Sequence, residues 1–82
     1  MQENIYRQVA DVIIDKNCLT NEEVKPEAKL KKDLGMDSLD IVELTMELEK
    51  EFSISIADEE YRTLNDNEST VADVVKLVES KL

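Results

Sequence analysis

The chain has 82 residues, 41% of them hydrophobic and 37% charged, with Lys+Arg 10 against Asp+Glu 20 and a formal charge of −10. That length allows one domain without a large internal active site, and a count of Gly 1 and Pro 1 excludes a turn-rich sandwich or barrel. Such an acidic balance opposes binding to nucleic acid or to an anionic membrane surface. It favours partners that carry basic patches, if the acids gather on one face rather than serving solubility alone.

A first helix is predicted from Glu3 to Lys16. Ile5, Val9, Val12 and Ile13 recur at helical spacing, widened by Tyr6, Ala10 and Ile14. Asn17 is the expected terminator, with Lys16 in the last turn where a cation suits the helix dipole. From Cys18 to Met36 the periodicity fades, so a long connection follows, pinned by Leu19, Val24, Leu30 and Leu34. Thr20 and Glu23 have the spacing of a capping box, and Gly35 supplies a permissive backbone just before the second helix.

The second helix is predicted from Ser38 to Glu51, with Asp37 as its cap and Asp40 three residues on. Phe52, Ile54 and Ile56 lead to a short third helix over Asp58 to Leu64. Asn65 to Ser69 reads as a polar loop. Ser69 or Thr70 then caps a last helix that carries Val71, Val74, Val75, Leu77 and Val78 and ends near Leu82. The expected fold is all-α, one four-helix bundle spanning residues 1–82, with a short third helix and a long loop between helices one and two.

The second helix carries two apolar stripes. At about 100° per residue, Ile41, Leu44, Leu48 and Phe52 fall within roughly 80° of one another. Leu39, Val42 and Met46 form a second group about 150° away. One reading is a helix buried nearly all round. The other is an exposed strip for a partner's groove, since Asp40, Glu43 and Glu47 flank it and unpaired carboxylates are costly to bury. The flanking acids favour the second, and Met46 suits a surface that must repack for several partners.

The chain holds no histidine, which removes the Ser-His-Asp triad, the Cys-His pair and histidine-bound zinc. Lys31 and Lys32 look solvated and so are poor activators of a serine. Neither a glycine-rich phosphate loop nor an EF-hand spacing is present. No catalytic residue and no metal site are expected. Cys18 reads as a small half-buried filler rather than a reactive thiol. As the lone cysteine it offers no internal disulfide, and no apolar run suits a signal peptide or a membrane span, so a cytoplasmic protein without membrane insertion is expected. Ser38, at the mouth of an acidic helix, sits where backbone N–H groups favour an anion. Without a neighbouring base it reads as an attachment point acted on by another protein.

The run Leu34-Gly35-Met36-Asp37-Ser38-Leu39-Asp40, followed by Val42-Glu43-Leu44, closely resembles the bacterial acyl carrier proteins of the discrete type II form. The resemblance continues through Glu51-Phe52, Asp58-Glu59-Glu60 and Thr70-Val71. It implies 4′-phosphopantetheine on Ser38, added from coenzyme A by a separate phosphopantetheinyl transferase that uses Mg²⁺. It implies acyl groups held as thioesters and shuttled, by a monomer that is not itself an enzyme, between fatty-acid synthase enzymes with basic docking patches. Asp37, Leu39, Asp40, Val42, Glu43, Met46 and Glu47 would be the docking positions. Ile41, Leu44, Leu48, Phe52, Ile56, Leu64, Val71 and Val74 would line a cleft for the acyl chain.

The chain departs from the family pattern in several places. Asn65 to Ser69 lengthens a loop, Ala57 replaces a frequent proline, Met36 and Tyr61 are bulky, and Lys31 with Lys32 adds positive charge. These departures leave room for a specialised polyketide, aryl polyene, D-alanyl or peptidyl pathway. An acidic adaptor in which Ser38 only starts a helix is the alternative from another class.

Overall fold

The described residues form four helices, α1 (Glu3–Asn17), α2 (Ser38–Phe52), α3 (Asp58–Leu64) and α4 (Val71–Ser80). They come from a computed structural model that describes residues 3–82. The expected order, the long first connection and the short third helix are all present, and among the described residues there are no strands. α1 packs on both α2 and α4, while α3 bridges α2 and α4 more thinly. The bundle measures 26 × 25 × 19 Å. No helix among the described residues is long and apolar enough to cross a membrane.

The predicted stripes meet in one core. Val9 and Ile13 of α1, Ile41, Leu44 and Leu48 of α2, and Val71, Val74, Val75 and Val78 of α4 are fully buried. At about 1.5–3 kcal/mol for each buried aliphatic side chain, this cluster is the main term holding the helices together. Thr45 joins it, because its hydroxyl donates to the Val42 carbonyl at 2.7 Å and needs no other partner.

The connection between α1 and α2 is ordered by burial rather than by secondary structure. Val24, Leu30 and Leu34 are buried as expected, Leu19 is half-buried, and Ala28 and Met36 also turn inward. Thr20 and Glu23 form the expected reciprocal contacts: Thr20 N–H donates to Glu23 Oε1 at 2.9 Å and Glu23 N–H to Thr20 Oγ1 at 3.3 Å. The segment is fastened to α4 by main-chain bonds. Leu30 N–H donates to the Ser69 carbonyl, while Val71 and Ala72 N–H donate to the carbonyls of Ala28 and Pro26. Two N–H groups of the first turn of α4, which no helical carbonyl can satisfy, are thus taken up by the loop.

Two details differ from expectation. Asn17 remains helical, and Cys18 is the residue that turns left-handed (φ 54°). Leu19 N–H then donates back to the Ile14 carbonyl at 3.1 Å, the closing bond of a Schellman motif. Cys18 is therefore exposed rather than half-buried, because the turn that ends α1 carries its side chain outward. The last helix ends at Ser80, close to the expected end near Leu82.

Candidate functional site at the start of helix α2

Three local devices place Ser38. Gly35 takes φ +70°, a left-handed conformation that only glycine adopts without steric cost, and turns the chain out of the loop. Buried Met36 anchors the next step, its N–H donating to the Leu30 carbonyl at 3.0 Å. Asp37 then caps α2 in extended backbone (φ −103°, ψ −175°). Its Oδ1 accepts the Asp40 N–H at 2.9 Å, and Asp40 Oδ2 accepts the Asp37 N–H at 3.0 Å. The predicted Asp-for-Glu capping box is formed. Ser38 follows as the first helical residue, exposed to solvent.

The second apolar stripe is on the surface. Leu39 is 65% exposed and Met46 61%, while Val42 is half-buried. Asp37 and Glu43 are exposed beside it, and Asp40 and Glu47 half-buried. α2 is not a helix buried all round; it has an inward and an outward apolar face.

The eight residues expected to line an acyl cleft are brought together. Ile41, Leu44, Leu48, Leu64, Val71 and Val74 are buried, with Phe52 and Ile56 packed half-buried against them. They form a closed core rather than an open channel. A cavity of about 460 Å³ lies to one side, between α3, the following loop and α4. Of the eight, Leu64 alone lines it, alongside Glu60, Asp66, Asp73 and Lys76.

Two side chains that the sequence reading did not assign to the site touch Ser38. The Ser38 hydroxyl donates to Asn65 Oδ1 at 3.1 Å, and the Tyr61 phenol donates to the Ser38 carbonyl at 3.4 Å. They lie 27 and 23 positions away in the chain. Spacing carries no sign of such a contact; the bulk of Tyr61 and the length of the loop beginning at Asn65 were the only traces.

Further from Ser38, two ion pairs tie α4 and its flanks to neighbouring segments. Lys81 Nζ lies 2.7 Å from Glu60 Oε1, and that hydrogen bond, seconded by the Ala57 N–H, holds the Glu60 carboxyl below its ordinary range. Lys29 Nζ lies 2.7 Å from Glu68 Oε1; the hydrogen bond lowers the Glu68 carboxyl and raises the Lys29 ammonium. The Ala57 N–H donates to Glu60 Oε1 at 2.8 Å. Glu60 thus supplies half a capping box to α3, where Ala57 has no side-chain acceptor of its own.

Residues 7–78 match the family model described as the phosphopantetheine attachment site. The chain belongs to the acyl carrier protein family. It is 43% identical over 76 residues to an acyl carrier protein of Wolinella succinogenes, a match covering 93% of this chain and 95% of that one. Its fold is similar to the solution structure of a candidate acyl carrier protein from Anaplasma phagocytophilum, with TM-score 0.79 and 36% identity, covering 95% of this chain and 88% of that chain. Members of this family carry phosphopantetheine, and a solvent-open hydroxyl at a capped helix start fits that group: nothing buries Ser38. The Ser38 and Leu39 N–H groups also lie outside the cap, since Asp37 Oδ1 takes the Asp40 N–H and the Asp37 carbonyl takes that of Ile41.

Proposed function

We propose that Ser38 is the residue joined to phosphopantetheine and that the chain carries acyl groups between the enzymes of fatty-acid synthesis. The observation that carries this reading is the exposed Ser38 hydroxyl on the first residue of α2, in a member of a phosphopantetheine-attachment family. The bound group supplies a flexible arm ending in a thiol that holds the acyl chain as a thioester. The rest of the work belongs to the chain's own residues.

The start of α2 favours the negative phosphodiester through its partial positive charge, by about 0.3–1 kcal/mol at an exposed site. Asp37 and Asp40 stand close by, but each has a carboxylate oxygen engaged by a backbone N–H of the cap. The outward face of α2 offers Leu39, Val42 and Met46 to an apolar groove, with Asp37, Asp40, Glu43 and Glu47 as the acidic rim for arginines and lysines. Docking there brings a partner's catalytic groups beside Ser38. Ile41, Leu44, Leu48, Phe52, Ile56, Leu64, Val71 and Val74 shelter the acyl chain when the helices part. The gain is about 0.8 kcal/mol per buried CH₂, reduced by the cost of opening a packed core. A closed resting core keeps cargo binding weak enough for hand-over.

Intact-mass measurement tests the reading. With coenzyme A, Mg²⁺ and a phosphopantetheinyl transferase, the natural chain gains the mass of one phosphopantetheine. Ser38→Ala gains none, and it unfolds within about 1–2 kcal/mol of the natural chain, the range for changes at a helix start. A Ser38→Ala protein that still loads has its attachment residue elsewhere. Offering the loaded chain to fatty-acid, polyketide and peptidyl loading enzymes decides the pathway. Acceptance by only one of the latter two rejects the fatty-acid assignment.

A further inference from the structure

The end of α3 grips Ser38 by its side chain and by its backbone. Asn65 Oδ1 accepts the hydroxyl proton at 3.1 Å, and the Tyr61 phenol reaches the carbonyl at 3.4 Å. The two residues stand one turn apart, and the Asn65 N–H closes that turn on the Tyr61 carbonyl at 2.8 Å. The turn is itself anchored. Leu64 beside it is 2% exposed, and Ser69, 5% exposed, donates its hydroxyl to the Thr63 carbonyl at 2.8 Å. Leu30 N–H holds the Ser69 carbonyl from the other side at 2.9 Å. The Asn65 carboxamide is therefore presented to Ser38 by backbone tied to the core.

Modification changes what Ser38 can do in this contact. The free hydroxyl is a donor, and Asn65 meets it as an acceptor. When Ser38 is joined to the arm, the Oγ–H bond gives way to an Oγ–P bond. The P–O bond within the coenzyme A pyrophosphate breaks, adenosine 3′,5′-bisphosphate leaves with the bridging oxygen and its electron pair, and the serine proton passes to a base on the transferase. Every oxygen then left at Ser38 is an acceptor. A carboxamide carries an acceptor oxygen and a two-proton donor on one planar group, so a half-turn about Cβ–Cγ converts one role into the other.

We propose that Asn65 is a positioning residue that serves both states of Ser38, its oxygen holding the free hydroxyl and its NH₂ group holding the phosphodiester. The proposal rests on Ser38 as the attachment residue. It makes α3, through Asn65, the element that senses whether the arm is present. Aspartate has the same shape but no donor; it fits the unmodified protein and repels the modified one.

The test compares unmodified and modified forms of the natural chain, Asn65→Asp, Asn65→Ala and, as a control that keeps the carboxamide, Tyr61→Phe. The reading is the Tm of the modified form minus that of the unmodified form. For Asn65→Asp this difference is expected to fall about 4–8 °C below that of the natural chain, the span for losing one hydrogen bond in a domain this small. Asn65→Ala should fall between them, and Tyr61→Phe should match the natural chain. A purely structural role lowers both forms equally and leaves every difference unmoved, which would overturn the proposal. In the natural chain, the Asn65 side-chain NH₂ resonances should shift on modification by more than those of exposed Asn67; equal small shifts would also overturn it. A natural chain that gains no mass at all refutes the attachment residue. One that loads normally with unmoved Tm differences refutes only the role of Asn65.

Discussion

The two apolar faces of α2 have similar composition and opposite fates. Ile41, Leu44 and Leu48 are 0% exposed, while Leu39 and Met46 on the far side are 65% and 61% exposed. Hydrophobicity alone does not sort them, because leucine stands on both. What separates them is the neighbour each direction meets: α1 and α3 on one side, and a rim of Asp40, Glu43 and Glu47 on the other. One face spends its apolar area on folding. The other leaves it in water, open to the association proposed above, in a chain with a charge of −10.

Truncating one residue on each face separates these roles most strongly. Leu44→Ala should destabilise the bundle by about 2–5 kcal/mol in denaturant unfolding, the range for a buried leucine that leaves a cavity. Met46→Ala should change stability by less than about 0.5 kcal/mol, as exposed sites do, while slowing transfer with a partner enzyme. Equal losses of stability would mean that the outward face is packed in solution.

Reversing charge on the outward face comes next. Glu43→Lys with Glu47→Lys should reduce the association rate with a basic partner by about tenfold at low salt, with a flatter dependence on ionic strength. Stopped-flow mixing across a salt series measures both, and an unchanged rate would place docking on another surface. The cap that starts both faces has a smaller effect. Asp37→Ala should cost about 1 kcal/mol by removing the acceptor of the Asp40 N–H. Amide exchange should rise first at Asp40, and uniform exchange would show that the cap is dispensable.

Acidification tests the ion pair that ties α4 to α3. The folded Glu60 carboxyl lies below its unfolded value because Lys81 and the Ala57 N–H favour its charged form. Its contribution is therefore complete above about pH 4.3, the ordinary glutamate value, and is lost as pH falls through the folded value. Glu68 behaves alike through Lys29; the raised Lys29 contributes below about pH 10.4 and loses its share as pH climbs through its folded value. Lys81→Met should make Tm fall less steeply below pH 4.3, and this is the smallest of the expected changes. An identical acid limb would show that the pair adds nothing.

Much of this was legible in sequence because it is local or periodic. The Asp37/Asp40 cap, the left-handed Gly35, α3 over Asp58–Leu64 and the buried stripe of α4 each follow from residues within a turn or two of one another. Such features depend on backbone geometry that neighbours alone impose. The outward Cys18 was missed because the helix ran one residue past Lys16, through Asn17, and gave the left-handed position to cysteine.

The sequence by itself determined that four helices form, where each starts and which stripe of each is apolar, since capping and a 3.6-residue period are short-range effects. Only the tertiary structure decided that Pro26 and Ala28 lend their carbonyls to the start of α4, and that Asn65 and Tyr61 close on Ser38. These contacts join residues more than twenty positions apart, and no local preference encodes them. They arise because burying all the inward stripes at once leaves a narrow choice of helix arrangement, and that arrangement brings the end of α3 to the beginning of α2.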